Sequence, residues 1–233
     1  MSETNFQLVL VRHGHSEWNL SHRFTGWTDI QLTEIGLTEA KQAGQRLASE
    51  GFEFDAAHVS VLTRTRQTAE TILEAARHPA IPIHETWHLN ERHYGCLQGM
   101  DKDEIFAAWG EERSRRWWRD YSDPPPELAE DDPRHPRFDS RYDKLDPALL
   151  PRSESLSQCQ ARLLPYWNDA LALNILAGQR LLVISHGNTL RSLRMHLEDI
   201  DPDAIEQVEI PSGIPLVYRL NKRLEPIGME WLE

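Results

Sequence analysis

Two short, wholly apolar runs, Leu8–Val11 and Leu181–Ile184, constrain this chain more than any other feature. Neither alternates with polar residues, so each reads as a strand buried on both faces, as in a parallel sheet covered by helices. Both runs stop abruptly in a His-Gly pair. The first runs into Arg12-His13-Gly14 and the second into Ser185-His186-Gly187-Asn188. Ligands of open parallel sheets bind beyond the carboxyl ends of the strands. The two imidazoles are therefore expected at the edge where a ligand would lie.

The segments between the runs carry helical periodicity. Ala40, Ala43 and Leu47 share one face of a helix expected over Thr38–Glu50, with Gly51 placed to cap it. A short strand is expected over Ala57–Val61, and helices over Thr63–Ala76, Lys102–Trp118, Ser155–Ala172 and Thr189–Leu197. A last strand is expected at Leu216–Leu220, followed by a turn at Asn221-Lys222. This alternation gives the α/β class: a mostly parallel, doubly wound sheet with helices on both faces. Seven of the 14 prolines fall within Asp120–Arg152, which reads as an ordered insertion or a lid. The expected organisation is one domain over 1–233 with that insertion at about 120–152.

Charge narrows the function classes. The 233 residues carry 25 Lys and Arg against 37 Asp and Glu, a net charge of −12, which argues against nucleic acid or an anionic membrane as partner. No apolar run approaches the ~20 residues that span a bilayer. Met1 to Gln7 is polar and lacks the basic and apolar regions of a signal peptide. Two cysteines, Cys96 and Cys159, are too few for a disulfide framework and fit a cytoplasmic setting.

The chemistry-bearing residues gather around the two His-Gly ends. Arg12 offers a forked donor for phosphoryl oxygens, and Gly14 would let backbone approach an anion closely. Ser16, Asn19, Thr25 and Gly26 follow as small or polar groups able to bond a phosphate without adding negative charge. Arg64 opens the helix after the second strand. Residues 90–95, Asn-Glu-Arg-His-Tyr-Gly, supply Glu91 as a general acid/base with Arg92 and Tyr94 as anchors. Arg113, Arg115, Arg116 and Arg119 surround Trp117 and Trp118, mostly as a solvated helix face. His13-x-His15 lacks the spacing of a metal site, and arginines can neutralise phosphoryl oxygens instead, so no metal is expected.

Taken in order, these motifs resemble the cofactor-dependent phosphoglycerate mutases of the histidine phosphatase superfamily. The likeness rests on Arg12-His13-Gly14 with Ser16 and Asn19, on Phe24-Thr25-Gly26-Trp27, and on Asn90 to Gly95 with Leu97-Gln98-Gly99 and Lys102. It is completed by Ser185-His186-Gly187-Asn188 and by the run from Ile210 to Val217. The resemblance implies a phosphohistidine nucleophile at His13, a proton donor and acceptor at Glu91, and phosphoryl stabilisation by His186. It further implies that Arg12, Asn19, Arg64 and Asn188 hold the phosphoryl group, with Gly187 beside it. Thr25, Gly26, Arg92, Tyr94, Lys102 and Arg119 would hold phosphoglycerate. The implied reaction is interconversion of 2- and 3-phosphoglycerate, in glycolysis and gluconeogenesis, primed by 2,3-bisphosphoglycerate. A homodimer or homotetramer is implied as well.

The chain departs from that pattern in three places. His15 stands where the family often has Glu, and it is not assigned a catalytic role. The family's paired arginines fall on Trp118 and Arg119, so only Arg119 is carried over unless Arg116 substitutes. The long Lys/Ala-rich tail of some members is not seen after Leu220; a shorter cover would admit water and favour hydrolysis. A histidine phosphatase acting on small phosphate esters is the alternative reading. A non-catalytic anion-binding domain would require the loss of His13, Glu91 or His186, and all three are present.

Overall fold

The computed structural model describes residues 5–78 and 80–233. The polar segment Met1 to Gln7 thus lies partly outside the described residues. A single six-stranded sheet runs through the chain, formed by β1 (Phe6–Arg12), β2 (Ala56–Val59), β3 (Ile83–Glu85), β4 (Leu181–Ser185), β5 (Leu216–Leu220) and β6 (Pro226–Trp231). The strand order is β3-β2-β4-β1-β5-β6. The strands from β3 to β1 are parallel, and β5 runs antiparallel to both of its neighbours. The two apolar runs are adjacent partners, with Leu8 opposite Leu181 and Arg12 opposite Ser185. That register brings both His-Gly ends to the same sheet edge, side by side.

The helices are α1 (Glu17–Leu20), α2 (Glu34–Ser49), α3 (Thr63–Ala75), α4 (Lys102–Trp109), α5 (Glu111–Arg119), α6 (Leu156–Tyr166), α7 (Ala172–Leu176) and α8 (Gly187–Glu198). They cover both faces of the sheet. Leu8 and Leu10 pack with residues of α7, α8 and the Trp167–Leu171 turn. Val9 and Val11 point the other way, onto Ala40, Ala43 and Leu47 of α2 and Ile72 and Leu73 of α3. Opposite side chains of one strand thus enter two separate cores, which is why the run shows no alternation.

Several boundaries differ from the sequence expectation. The helix expected over Lys102–Trp118 is two helices, because Gly110 adopts a positive φ of 82° between them. The helix expected over Ser155–Ala172 passes through Pro165 and opens into a π-turn at Trp167–Leu171. Proline removes one N–H and crowds the preceding turn, and a local widening accommodates it. The N-terminal start of α2 lies at Glu34, capped by the Thr33 hydroxyl. Strands β3 and β6 were not expected. The first is three residues long, and the second lies on a sheet edge with a half-exposed pattern.

The Pro-rich stretch contains three single helical turns, at Pro136–Phe138, Ser140–Tyr142 and Pro147–Leu149. Leu128 and Tyr142 are buried. Arg134 donates to the Cys96 and Gln98 carbonyls, and Cys96 N donates to the Pro126 carbonyl. These bonds fasten the segment to the loop that follows Tyr94.

Candidate active site

A cavity of about 100 Å³ opens at the carboxyl edge of β1 and β4. Arg12, His13, Asn19, Thr25, Gly26, Arg64, Glu91, Tyr94, Lys102, Arg119, Gly187 and Asn188 all line it. Three residues expected at the site lie behind the lining. Ser16 is fully buried, caps α1 and bonds its hydroxyl to the Asn19 side chain. His186 is fully buried beside His13, with ring centroids 5.0 Å apart. Arg92 is buried as well; its Nη2 donates to the Trp117 and Trp118 carbonyls and its guanidinium lies 4.5 Å above the Tyr94 ring. Arg92 thus ties the end of α5 to the Glu91 loop.

The two histidines are prepared differently by their hydrogen bonds. His13 Nδ1 donates to the carbonyl of Gly14 at 2.7 Å, which leaves Nε2 with a free lone pair. Burial, then the charges of Arg64 and Arg12, hold His13 well below the usual imidazole range. His186 Nδ1 accepts from Arg64 Nε at 3.3 Å, so its proton lies on Nε2 and points to Ser60 Oγ at 2.8 Å. Ser60 in turn lies 2.7 Å from Thr65 Oγ1. Burial and the neighbouring Arg64 also hold His186 well below its ordinary value. Both imidazoles are therefore neutral at pH 7.

Arg64 is buried rather than solvated. Its terminal nitrogens donate to the carbonyls of Thr28 and Gly26, which fix its guanidinium at the cavity wall. Burial lowers its pKa to about 10, which still leaves it charged. Arg12 donates to the Ile210 carbonyl, and its Nε is buried without a partner among the described residues. Such an orphaned donor beside a cavity is poised to bond an incoming anion. Gly14 also has a packing role. A Cβ there would come within 2.2 Å of the Gly36 carbonyl oxygen, so the glycine permits α2 to pack against the loop.

Glu91 lies across the cavity. One of its carboxylate oxygens accepts from the Arg92 and Asn188 amides at 2.8 and 3.2 Å. The Asn188 amide belongs to the first turn of α8, where the helix dipole favours a carboxylate. Asn188 Nδ2 donates to the Tyr94 hydroxyl. Lys102, half-buried beside Phe24, Trp118 and other cations, has its pKa lowered to about 8 by partial burial and by Arg12 and Arg119. Arg119 stacks 4.6 Å over Trp118 and pairs with Glu209 at 2.5 Å. Arg116 instead pairs with Asp123 outside the cavity, so of the two arginines Arg119 alone faces it. His15 bonds Glu39 and does not line the cavity.

Sequence reasoning did not single out Arg23, Arg191 and Glu209, which also line the cavity, as do Phe24, Trp118 and Ile210 from the segments named above. Arg191 was detectable, because it stands three residues after Asn188 on the same helical face and donates to the Asn188 side chain. Arg23 adjoins the Thr25-Gly26 loop. Nothing local marks Glu209. The lining holds six cations, Arg12, Arg23, Arg64, Lys102, Arg119 and Arg191, against two carboxylates, Glu91 and Glu209. In a chain of net charge −12 this is a focused positive field suited to a polyanion. Among the described residues, no group of three or more His, Cys, Asp or Glu side chains is placed to hold a metal ion. No described helix is long and apolar enough to cross a membrane.

Comparison with known proteins agrees with this geometry. The profile of the histidine phosphatase superfamily, branch 1, matches residues 8–145 and 128–214. A 2,3-bisphosphoglycerate-dependent phosphoglycerate mutase of Nitratidesulfovibrio vulgaris (strain DSM 19637 / Miyazaki F) is 51% identical over 225 residues, covering 97% of this chain and 90% of the relative. Among solved structures, YhfR of Bacillus stearothermophilus superposes with a TM-score of 0.70 at 25% identity, over 92% of this chain and 91% of its own. A mycobacterial glucosyl-3-phosphoglycerate phosphatase, in complex with VO3, superposes with a TM-score of 0.72 at 20% identity over 97% of each chain, a likeness of fold alone. With matched segments that together take in both His-Gly ends and the Glu91 loop, this chain belongs to the histidine phosphatase superfamily.

Proposed function

We propose that this protein is a phosphoglycerate mutase that interconverts 2-phosphoglycerate and 3-phosphoglycerate by ping-pong phosphoryl transfer through His13. The observation that carries the reading is the 51% identity, over 97% of the chain, to the bisphosphoglycerate-dependent mutase. The cation-lined cavity, with His13 and Glu91 both on its wall, supports it.

The primer, 2,3-bisphosphoglycerate, supplies the first phosphoryl group. Six cationic side chains and the unpartnered Arg12 Nε fit such a polyanion. His13 Nε2 carries the phosphoryl group, and its neutral ring attacks without a separate base. Arg12, Arg64, Asn19 and Asn188 hold the phosphoryl oxygens in place of a metal, with the Gly187 backbone beside them. Neutral His186, held between Arg64 and Ser60, stands behind the transferring group. Phosphohistidine then gives its group to the free hydroxyl of bound phosphoglycerate: the P–N bond breaks, a P–O bond forms, and Glu91 takes the hydroxyl proton. His13 takes back the other phosphoryl group, and Glu91 returns the proton to the leaving oxygen. Thr25, Gly26, Tyr94, Lys102 and Arg119 hold the phosphoglycerate, with Arg92 fixing the loop and Ser16 fixing Asn19.

The chain works as one unit over 1–233, because lining residues come from positions 12 to 210. A cytoplasmic location belongs to the same reading, supported by the free Cys96 and Cys159. So does a homodimer or homotetramer, supported by aromatic side chains at the surface such as Trp109 and Phe138.

Turnover of 3-phosphoglycerate measured with and without added 2,3-bisphosphoglycerate tests the function. Mutase flux is expected to depend on the primer, and His13→Gln is expected to abolish both turnover and the acid-labile phosphoenzyme. Steady release of inorganic phosphate with no formation of 2-phosphoglycerate would replace this reading with a phosphatase.

A further inference from the structure

Behind Glu91, away from the cavity, lies a buried ion pair that the reaction as described does not use. Arg162 of α6 and Glu154 are each 5% exposed, and Arg162 Nε donates to Glu154 Oε1 at 2.7 Å. The rest of the guanidinium reaches the backbone that carries the catalytic acid. Nη1 donates to the Trp87 and His88 carbonyls at 3.1 and 2.8 Å. Nη2 donates to the Asn90 and Glu91 carbonyls at 3.2 and 3.1 Å, and to Glu154 Oε2 at 2.9 Å. Four carbonyls within five consecutive residues therefore converge on one planar fork. The Arg162 carbonyl meets His88 Nδ1 from the other direction. Glu154 closes the far side: its Oε2 accepts the His93 amide at 2.8 Å, and its own amide donates to the His93 carbonyl.

Such a pair contributes little net stability, because desolvation of two buried charges offsets their attraction. Its geometry points instead to alignment. Carbonyls 87, 88, 90 and 91 all turn toward one point; the first two lie in the helical turn Trp87–Leu89, whereas Asn90–Tyr94 beyond it has no helical or strand ladder of its own, and Thr189 Oγ1 and Trp27 Nε1 share the Asn90 and Glu91 carbonyls with the fork. Arginine supplies five donors in a rigid fork, whereas lysine supplies a point charge with three rotatable ones.

We infer that Arg162, clamped by Glu154, is a positioning residue that fixes the Glu91 loop so that the Glu91 carboxylate meets the oxygen whose proton it carries. The inference rests on Glu91 acting as the proton carrier, and it holds for transfer to an alkyl hydroxyl or to water alike. A displacement of about 1 Å of a catalytic group is enough to cost on the order of 100-fold in rate.

The test separates proton transfer from the rest of the site by choice of leaving group. An alkyl phosphate such as 2,3-bisphosphoglycerate expels an alkoxide, which needs a proton from Glu91. p-Nitrophenyl phosphate expels a phenolate that leaves unprotonated, so His13 phosphorylation by it needs no acid. Pre-steady-state phosphorylation of His13 is measured with both donors in the wild type, in R162M/E154Q, which removes both charges, and in R162K, which keeps the charge but not the fork. Phosphorylation by the alkyl ester is expected to fall between about 10- and 100-fold in the double variant and less in R162K. The burst of p-nitrophenolate is expected to stay within about twofold of wild type. Equal losses on both donors, or no loss on either, overturn the inference. If the double variant does not fold, the same comparison of donors in R162K decides between these outcomes. Absence of primer-dependent mutase flux in the wild type would count against the proposed function alone, since the leaving-group comparison is internal to each variant.

Discussion

Lys102 shows how a single side chain can couple the cavity to pH. It is half-buried beside Arg12, Arg119 and two aromatic rings, and its pKa is lowered to about 8. In the free protein its charge is complete well below pH 8 and is lost as pH rises through 8. An anionic substrate needs that charge, so kcat/KM for phosphoglycerate is expected to fall on an alkaline limb near pH 8, through a rise in KM. Lys102→Met is expected to raise KM at pH 7 and to erase the limb. A limb unchanged in the variant would assign it to another group. At this scale the sequence marked most of the lining: His13, Glu91, Arg12 and Lys102 stand in recognisable local patterns. Glu209 did not stand out, because its place at the cavity depends on a return of the chain toward Ile210, and Arg191 was marked only by its helical spacing from Asn188.

Glycine contacts matter at the scale of elements. The loop after β1 meets the first turn of α2 through two facing glycines. A Cβ on Gly14 would lie 2.2 Å from the Gly36 carbonyl oxygen, and one on Gly36 would lie 2.2 Å from the His15 carbonyl oxygen. Both obstacles are backbone and cannot rotate away. Gly14→Ala is expected to destabilise the fold by about 1–3 kcal/mol, as overpacking of a tight core contact does, and to shift the loop bearing His13. Thermal unfolding together with kcat would register both, and an unchanged melting temperature would refute the packing argument. The apolar runs made β1 and β4 legible. The break at Gly110 and the π-turn after Pro165 fall at a glycine and a proline, yet the helical periodicity continues on both sides and masks them. Strands β3 and β6 carry too little pattern: one is too short, and the other lies on an edge with mixed exposure.

Considered as a whole molecule, the protein buries five histidines among the described residues, His13, His58, His93, His135 and His186, and burial lowers the pKa of each. Burial depresses His13 and His186 well below their usual range, lowers His58 to about 4 and lowers His93 to about 3. Unfolding frees each to take a proton near pH 6.5. Below that pH the unfolded chain binds more protons than the folded one, so stability declines as pH falls. Each histidine that stays neutral in the fold costs about 1.4 kcal/mol per pH unit below its unfolded pKa, so His58 and His93 together lower stability by about 2–3 kcal/mol between pH 6 and 5, and His13 and His186 act in the same direction. Urea unfolding at pH 7, 6 and 5 measures the decline, and a flat midpoint would mean that these rings accept protons in the folded state. The same burial that weakens the fold in acid keeps the His13 lone pair available at neutral pH.

The sequence by itself determined the α/β architecture, the pairing of chemistry with the ends of two buried strands, and the family. Those features are local: an apolar run, a His-Gly stop and a charged loop each announce themselves within a few residues. Only the tertiary structure decided which cations turn inward, that Arg92 and His186 stand behind the wall rather than on it, and that Arg162 grips the loop of Glu91 from 71 positions away. Burial and the direction of a guanidinium fork arise from packing between distant elements, and no short stretch of chain carries that information.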